Sequence, residues 1–100
     1  MNIPEITVAE LQALRDTDKV FILDVRDQWE FDEYNLGGHL IPFKELPKRI
    51  NELNPEELII VHCQMGGRSS RATAFLLEHG FKNVKNLRGG AKAWKQEIDK

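Results

Sequence analysis

Residues 59–80 read IIVHCQMGGRSSRATAFLLEHG. Ile59-Ile60-Val61-His62 is a short, mostly β-branched apolar run, the pattern of a strand buried on both faces. Ser69 to Glu78 has the character of a helix, and Gly80 supplies the left-handed position that ends one. Between them lie Cys63, the only cysteine of the chain, and the pair Gly66-Gly67, whose backbone can take conformations closed to other residues. Strand, tight turn and helix in this order make one α/β unit. They also set Cys63 at the carboxyl end of a strand and in front of a helix N-terminus.

Outward from this unit the same alternation recurs. Thr7-Val8-Ala9-Glu10 fits a capping box, with Leu11 and Leu14 on one face of a first helix. Val20 to Val25 reads as a second buried strand, and Asp27 is placed to cap a short helix carrying Trp29 and Phe31, both expected in the core. Gly37-Gly38 marks a turn and Leu40-Ile41 a short strand. Glu45 to Leu53 is a weak helix, with Pro47 tolerable only in its first turn, and Asn54-Pro55 ends it. Val84 sits in a brief strand, Gly89-Gly90 turns the chain, and a last helix carries Ala93 and Trp94. Strands alternating with helices imply an α/β fold with a parallel sheet covered on both faces, and a ligand beyond the carboxyl ends of the strands. Asp24, Arg26 and Cys63 all fall there.

Composition narrows the classes. One hundred residues, 41% hydrophobic and 30% charged, are expected to form a single ordered domain over residues 1–100. No apolar run is long enough to span a bilayer, so no membrane partner is expected. The opening Met1-Asn2-Ile3-Pro4-Glu5 has no secretory character, which makes a cytoplasmic location the expectation. One cysteine, and three histidines (His39, His62, His79) far apart in sequence, point to no metal. The net charge of −2 is uneven: residues 1–60 hold 13 acidic and 6 basic residues, residues 61–100 hold 3 and 8. A positive half around Cys63 would draw an anionic substrate, whereas no basic run interleaved with aromatics suggests nucleic acid.

Free cysteine is often a buried packing residue, and Cys63 could be one. Its surroundings favour a nucleophile. A glycine-rich turn can aim successive backbone N–H groups at one point, and a helix N-terminus adds partial positive charge there. A thiolate held in that nest would have a lowered pKa. Arg68 closes the loop with a permanent charge and a fork suited to oxyanions. Gln64, Met65, Gly66, Gly67, Arg68 and Ser69 thus form a candidate anion cradle around Cys63.

The stretch VHCQMGGRSSRATAFLLEHGFKNVKNLRGGAKAW resembles the second half of a single-domain rhodanese, and FILDVRDQWEF resembles that family's Asp-Val-Arg segment. NLRGGAKAW is similar to its Leu-x-Gly-Gly-x-x-x-Trp signature, and the likeness runs from about Ile6 to Trp94. The resemblance implies a three-layer fold with a mainly parallel five-stranded sheet. It implies a sulfurtransferase without cofactor, in which Cys63 takes a sulfane sulfur from thiosulfate or a persulfide. The resulting Cys63 persulfide passes its sulfur to a thiol, cyanide or a sulfur-carrier protein. Arg68 would orient an anionic donor or brace the loop, and Ser69 would bond the persulfide or cap the helix. Asp24 and Arg26 would form an ion pair shaping the rim, His62 would face away from Cys63, and Trp94 would pack behind the loop.

Related cysteine-dependent phosphatases place five residues between cysteine and arginine; here there are four, Gln64 to Gly67. Loop length therefore favours sulfur transfer over phosphatase or arsenate reductase activity, the latter also lacking a resolving cysteine. A catalytically silent binding module on the same fold is the other alternative, against which the intact Cys63 and Arg68 speak. Two departures from the family bear on substrate. Many thiosulfate-using relatives have arginine directly after the cysteine, where this chain has Gln64 and then Met65. That favours a low-molecular-weight or protein persulfide as donor. The stretch Asn35 to Pro42 is a shortened form of the family's Gly-His-Ile-Pro-Gly-Ala-x-Asn-Ile-Pro. Short forms accompany rhodanese domains fused to enzymes that activate ubiquitin-like sulfur carriers, which implies a protein acceptor. A monomer is the expectation for oligomeric state.

Overall fold

The computed structural model describes residues 2–17 and 19–100. Five strands, β1 (Glu5–Ile6), β2 (Phe21–Asp24), β3 (His39–Leu40), β4 (Ile59–His62) and β5 (Val84–Leu87), form one sheet in the order β1-β5-β4-β2-β3. Every neighbouring pair is parallel. The helices are α1 (Val8–Arg15), α2 (Gln28–Glu33), α3 (Leu46–Arg49), α4 (Gly67–Glu78) and α5 (Gly90–Glu97).

Alternation along the strands sorts the core into two layers. On one face Leu23, Ile59, Val61 and Cys63 pack with Leu46 of α3 and Ala72 and Leu76 of α4. On the other, Ile6, Ile60 and Leu87 pack with Leu11 of α1 and Ala91 and Trp94 of α5. Strand β4 lies between β5 and β2 and is buried at all four positions. Successive residues of a strand point to opposite faces, so Cys63 belongs to the α4 side and His62 to the α1/α5 side, as period-2 alternation requires.

Local signals hold at the helix ends. Thr7 caps α1 in a reciprocal box with Glu10, at 3.2 and 2.9 Å. The backbone N–H of Asp27 donates to Glu30 Oε1 at 3.0 Å. Gly80 takes φ 88° after α4, and Pro47 sits in the first turn of α3.

Three expectations need correction, and one strand, the two-residue β1, has no apolar run to announce it. The segment Glu45–Leu53 is one α-helical turn flanked by 3₁₀ turns, Phe43–Glu45 and Ile50–Glu52, rather than a continuous helix. Trp29 is 62% exposed, not core, and Phe31 is only half-buried. Helix α4 begins at Gly67 with Gly66 as its cap, two residues before Ser69.

Candidate active site: the Cys63 loop

Cys63 follows the last residue of β4 and is 2% exposed. Its sulfur receives the backbone N–H of Gly66 at 3.0 Å and that of Ser69 at 3.4 Å, and lies 3.3 Å from the Ser69 hydroxyl. Three polar hydrogens can therefore converge on one atom at the N-terminus of a twelve-residue helix. Burial alone pushes the thiol up. The Ser69 hydroxyl and the amides of Ser69, Gly66 and Met65 outweigh it, and the net shift is downward. This is the environment of a stabilised thiolate.

The turn depends on one of its two glycines. Gly66 has φ 129°, a conformation that strains any L side chain, whereas Gly67 has no positive φ and open space at its β-position. Because the helix starts at Gly67, Ser69 is not a cap. It is fully buried, and its hydroxyl contacts the sulfur, Asn86 and the Gly66 carbonyl.

A second segment locks the loop from below. The backbone N–H groups of Ala91 and Lys92, at the start of α5, donate to the carbonyls of Cys63 and Gln64 at 2.9 and 3.1 Å. Gly90, with φ 61°, lies so close that a β-carbon would stand 2.5 Å from the Cys63 carbonyl oxygen. Trp94, one turn further on, is buried in the same layer. The closing Gly-Gly-x-x-x-Trp pattern thus clamps the cysteine loop.

The rim residues pair as expected. Arg26 Nη2 donates to Asp24 Oδ2 at 2.8 Å, and both side chains are buried. Arg26 also donates to the Tyr34 carbonyl at 2.7 Å and to Gln64 Oε1 at 3.2 Å. His62 is buried beside them. Its Nδ1–H donates to the Cys63 carbonyl at 3.1 Å, and burial is the main reason its pKa lies below the ordinary imidazole range.

Arg68 does not face the sulfur as a free cation. Its guanidinium makes two parallel hydrogen bonds to the Glu30 carboxylate, at 2.7 and 2.8 Å. Of the two roles open to it in sequence, the geometry fits bracing. Glu30, in α2, was not singled out by sequence reasoning; its capping-box position was the one available signal. Asn86 was missed too, lying beside the Leu-x-Gly-Gly motif without belonging to it.

Gln64, Arg26, Trp29, Glu33, Lys92 and Lys95 line part of a cleft of about 420 Å³ beside the loop. Met65 projects at 67% exposure. The cleft is of a size to hold more than a small inorganic anion. Among the described residues, no helix is long and apolar enough to cross a membrane.

A lone cysteine cradled by amides at the carboxyl edge of a five-stranded parallel sheet has the surroundings of a reactive thiol. Comparison with known proteins narrows this. The Rhodanese-like domain family profile matches residues 7–97, and the chain belongs to that family. A sulfurtransferase of Allochromatium vinosum is 34% identical over 84 residues, 83% of this chain and 78% of that protein. The crystal structure of a rhodanese-like domain protein from Staphylococcus aureus superposes with a TM-score of 0.86 at 32% identity, covering 96% of this chain and 95% of that one. The adenylyltransferase and sulfurtransferase UBA4 of Meyerozyma guilliermondii is 35% identical over 103 residues, which cover 94% of this chain but only 24% of that protein.

Proposed function

We propose that the protein is a rhodanese-type sulfurtransferase that carries a sulfane sulfur on Cys63. The observation that carries this reading is the convergence of the Gly66 and Ser69 amides and the Ser69 hydroxyl on one sulfur. The kinship with a named sulfurtransferase supports it.

In the first step the Cys63 thiolate attacks the outer sulfur of the donor. With thiosulfate, one S–S bond forms, one breaks, and sulfite departs with the electron pair, leaving the Cys63 persulfide anion. In the second step an acceptor nucleophile takes the terminal sulfur and Cys63 leaves as a thiolate. A lowered pKa raises the thiolate fraction in the first step and improves the leaving group in the second.

The donor is a persulfide rather than thiosulfate. Arg68 is held by Glu30 and Arg26 by Asp24, so neither guanidinium is available undivided to a small dianion. Gln64 brings no charge, and the cleft beside it suits a larger thiol-bearing molecule. The acceptor is a thiol or a sulfur-carrier protein. Steady-state transfer to cyanide, with thiosulfate and with a low-molecular-weight persulfide, tests the donor. The persulfide is expected to give the higher kcat/KM by at least about tenfold, some 1.4 kcal/mol; preference for thiosulfate would overturn the donor assignment, and transfer from neither would overturn the activity.

A further inference from the structure

Ser69 offers one hydroxyl proton, and more than one acceptor competes for it. The shortest contact is to Asn86 Oδ1 at 2.5 Å; the Cys63 sulfur lies at 3.3 Å and the Gly66 carbonyl at 3.2 Å. Which partner receives it depends on how the Asn86 amide is turned, and two neighbours fix that. Glu5 Oε2, from β1, stands 3.4 Å from Asn86 Nδ2, and a carboxylate can only accept. Ser70 Oγ donates its own proton to the Gly66 carbonyl at 2.8 Å, so it meets Nδ2 at 3.2 Å with a lone pair. Both demand the NH₂ group on their side. The amide oxygen is left facing Ser69, and an amide oxygen cannot donate. Ser69 must therefore donate to Asn86, and only its lone pairs remain for the sulfur.

We propose that Asn86 is a positioning residue that competes with the Cys63 sulfur for the single proton of the Ser69 hydroxyl. In the resting domain the chain runs from the Cys63 S–H to Ser69 Oγ, and from the Ser69 O–H to Asn86 Oδ1. This arrangement withholds the Ser69 proton from the sulfur, so that at rest only the Gly66 and Ser69 amides donate to it. When the sulfur carries negative charge, the hydroxyl swings onto it and the bond to Asn86 is given up. The Gly66 and Ser69 amides cannot turn in this way, so Ser69 is the adjustable member of the cradle. Asn86, Ser69 and Cys63 are all buried, at 2%, 0% and 2% exposure, and water does not freely substitute for any of them. The charged groups around the chain are Glu5 of β1, paired with Arg88 of β5, and Arg68 of α4, paired with Glu30 of α2; His62 of β4 lies on the opposite face of the sheet.

The consequence for transfer rests on the function proposed above, but the test does not. It is the pH profile of Cys63 alkylation by iodoacetamide in the full chain. Asn86→Leu, close in shape but with no acceptor, releases the Ser69 proton to the sulfur. Its alkylation midpoint is expected to fall by about one pH unit, a roughly tenfold gain in thiolate on the acid side. Asn86→Asp keeps the acceptor and adds negative charge, so its midpoint rises. In a Ser69→Ala background, Asn86→Leu no longer moves the midpoint. Asn86→Ala provides the same reading if the leucine variant does not fold. An unmoved or raised midpoint in Asn86→Leu and Asn86→Ala, or an equal fall with and without Ser69, overturns the proposal. Sulfur loading, read separately by mass, distinguishes the two claims. Variants that shift as described while the wild type takes up no sulfur would leave the positioning role and remove the transferase. Loading without the shift would do the reverse.

Discussion

The Arg68 guanidinium and the Glu30 carboxylate, 38 residues apart, meet through two hydrogen bonds of 2.7 and 2.8 Å. The pair ties α2 to the first turn of α4 and so holds the cysteine loop from the side. It lowers the Glu30 carboxyl from its ordinary 4.5 to about 2, chiefly through the hydrogen bonds to Arg68. A carboxyl depressed on folding stabilises the native state fully above its unfolded pKa, and that contribution is lost as pH falls toward the folded value. Glu30→Gln should therefore cost about 1 kcal/mol at neutral pH, allowing for the partial exposure of Arg68. The difference from wild type should shrink below pH 4.5 and disappear only as pH falls through about 2. Denaturant unfolding across this range checks it; a gap independent of pH would assign the loss to something other than the ion pair.

Asp24 and Arg26 form the buried counterpart, at 0% and 1% exposure. Removing one partner strands the other charge without water. Asp24→Ala is expected to lower stability by roughly 3–5 kcal/mol, whereas Asp24→Leu with Arg26→Met should recover much of the loss. Urea midpoints of the two variants decide the matter, and equal midpoints would show that the Arg26 bonds to Tyr34 and Gln64 matter more than its charge.

At Gly90, a methyl group would collide with the Cys63 and Gln64 carbonyls in a backbone already at φ 61°. Gly90→Ala should lower stability by about 2 kcal/mol or more and displace the loop. Gly67→Ala, with open space and no positive φ, is the control and should be nearly neutral or slightly stabilising. Thermal melts of the pair would show whether the clamp or mere glycine content matters.

Gln64→Arg would add a guanidinium at the mouth, where Gln64 now accepts from Arg26 at 3.2 Å. Transfer from thiosulfate should rise by about tenfold relative to transfer from a persulfide. A fall for both donors would mean that the Arg26 contact, not charge, is what Gln64 supplies.

Much of this fold is visible in sequence because its signals are local. The apolar runs of β2 and β4, the box at Thr7 and Glu10, and the terminating Gly80 each act within a few residues. The two-residue β1 is held by pairing with β5, which no local pattern encodes. Trp29 looks apolar in sequence, but α2 has only six residues and none of them is buried. At the site, Cys63 and its glycine turn are contiguous and readable. Glu30 and Asn86 reach the loop from α2 and β5, and only the tertiary fold shows that the first holds Arg68 and the second accepts from the Ser69 hydroxyl. The charge count of the two halves does not show that Arg26 and Arg68 are each paired with a carboxylate, while Lys92 and Lys95 line the cleft.

The most direct measurement is intact mass after incubation with a low-molecular-weight persulfide and, separately, with thiosulfate, for wild type and Cys63→Ser. Wild type should gain the mass of one sulfur, more completely from the persulfide, and lose it on treatment with cyanide. The serine variant, folded to the same extent, should gain nothing. Sulfur uptake that persists in Cys63→Ser, or no uptake by folded wild type from either donor, would contradict the assignment of Cys63 as the sulfur carrier.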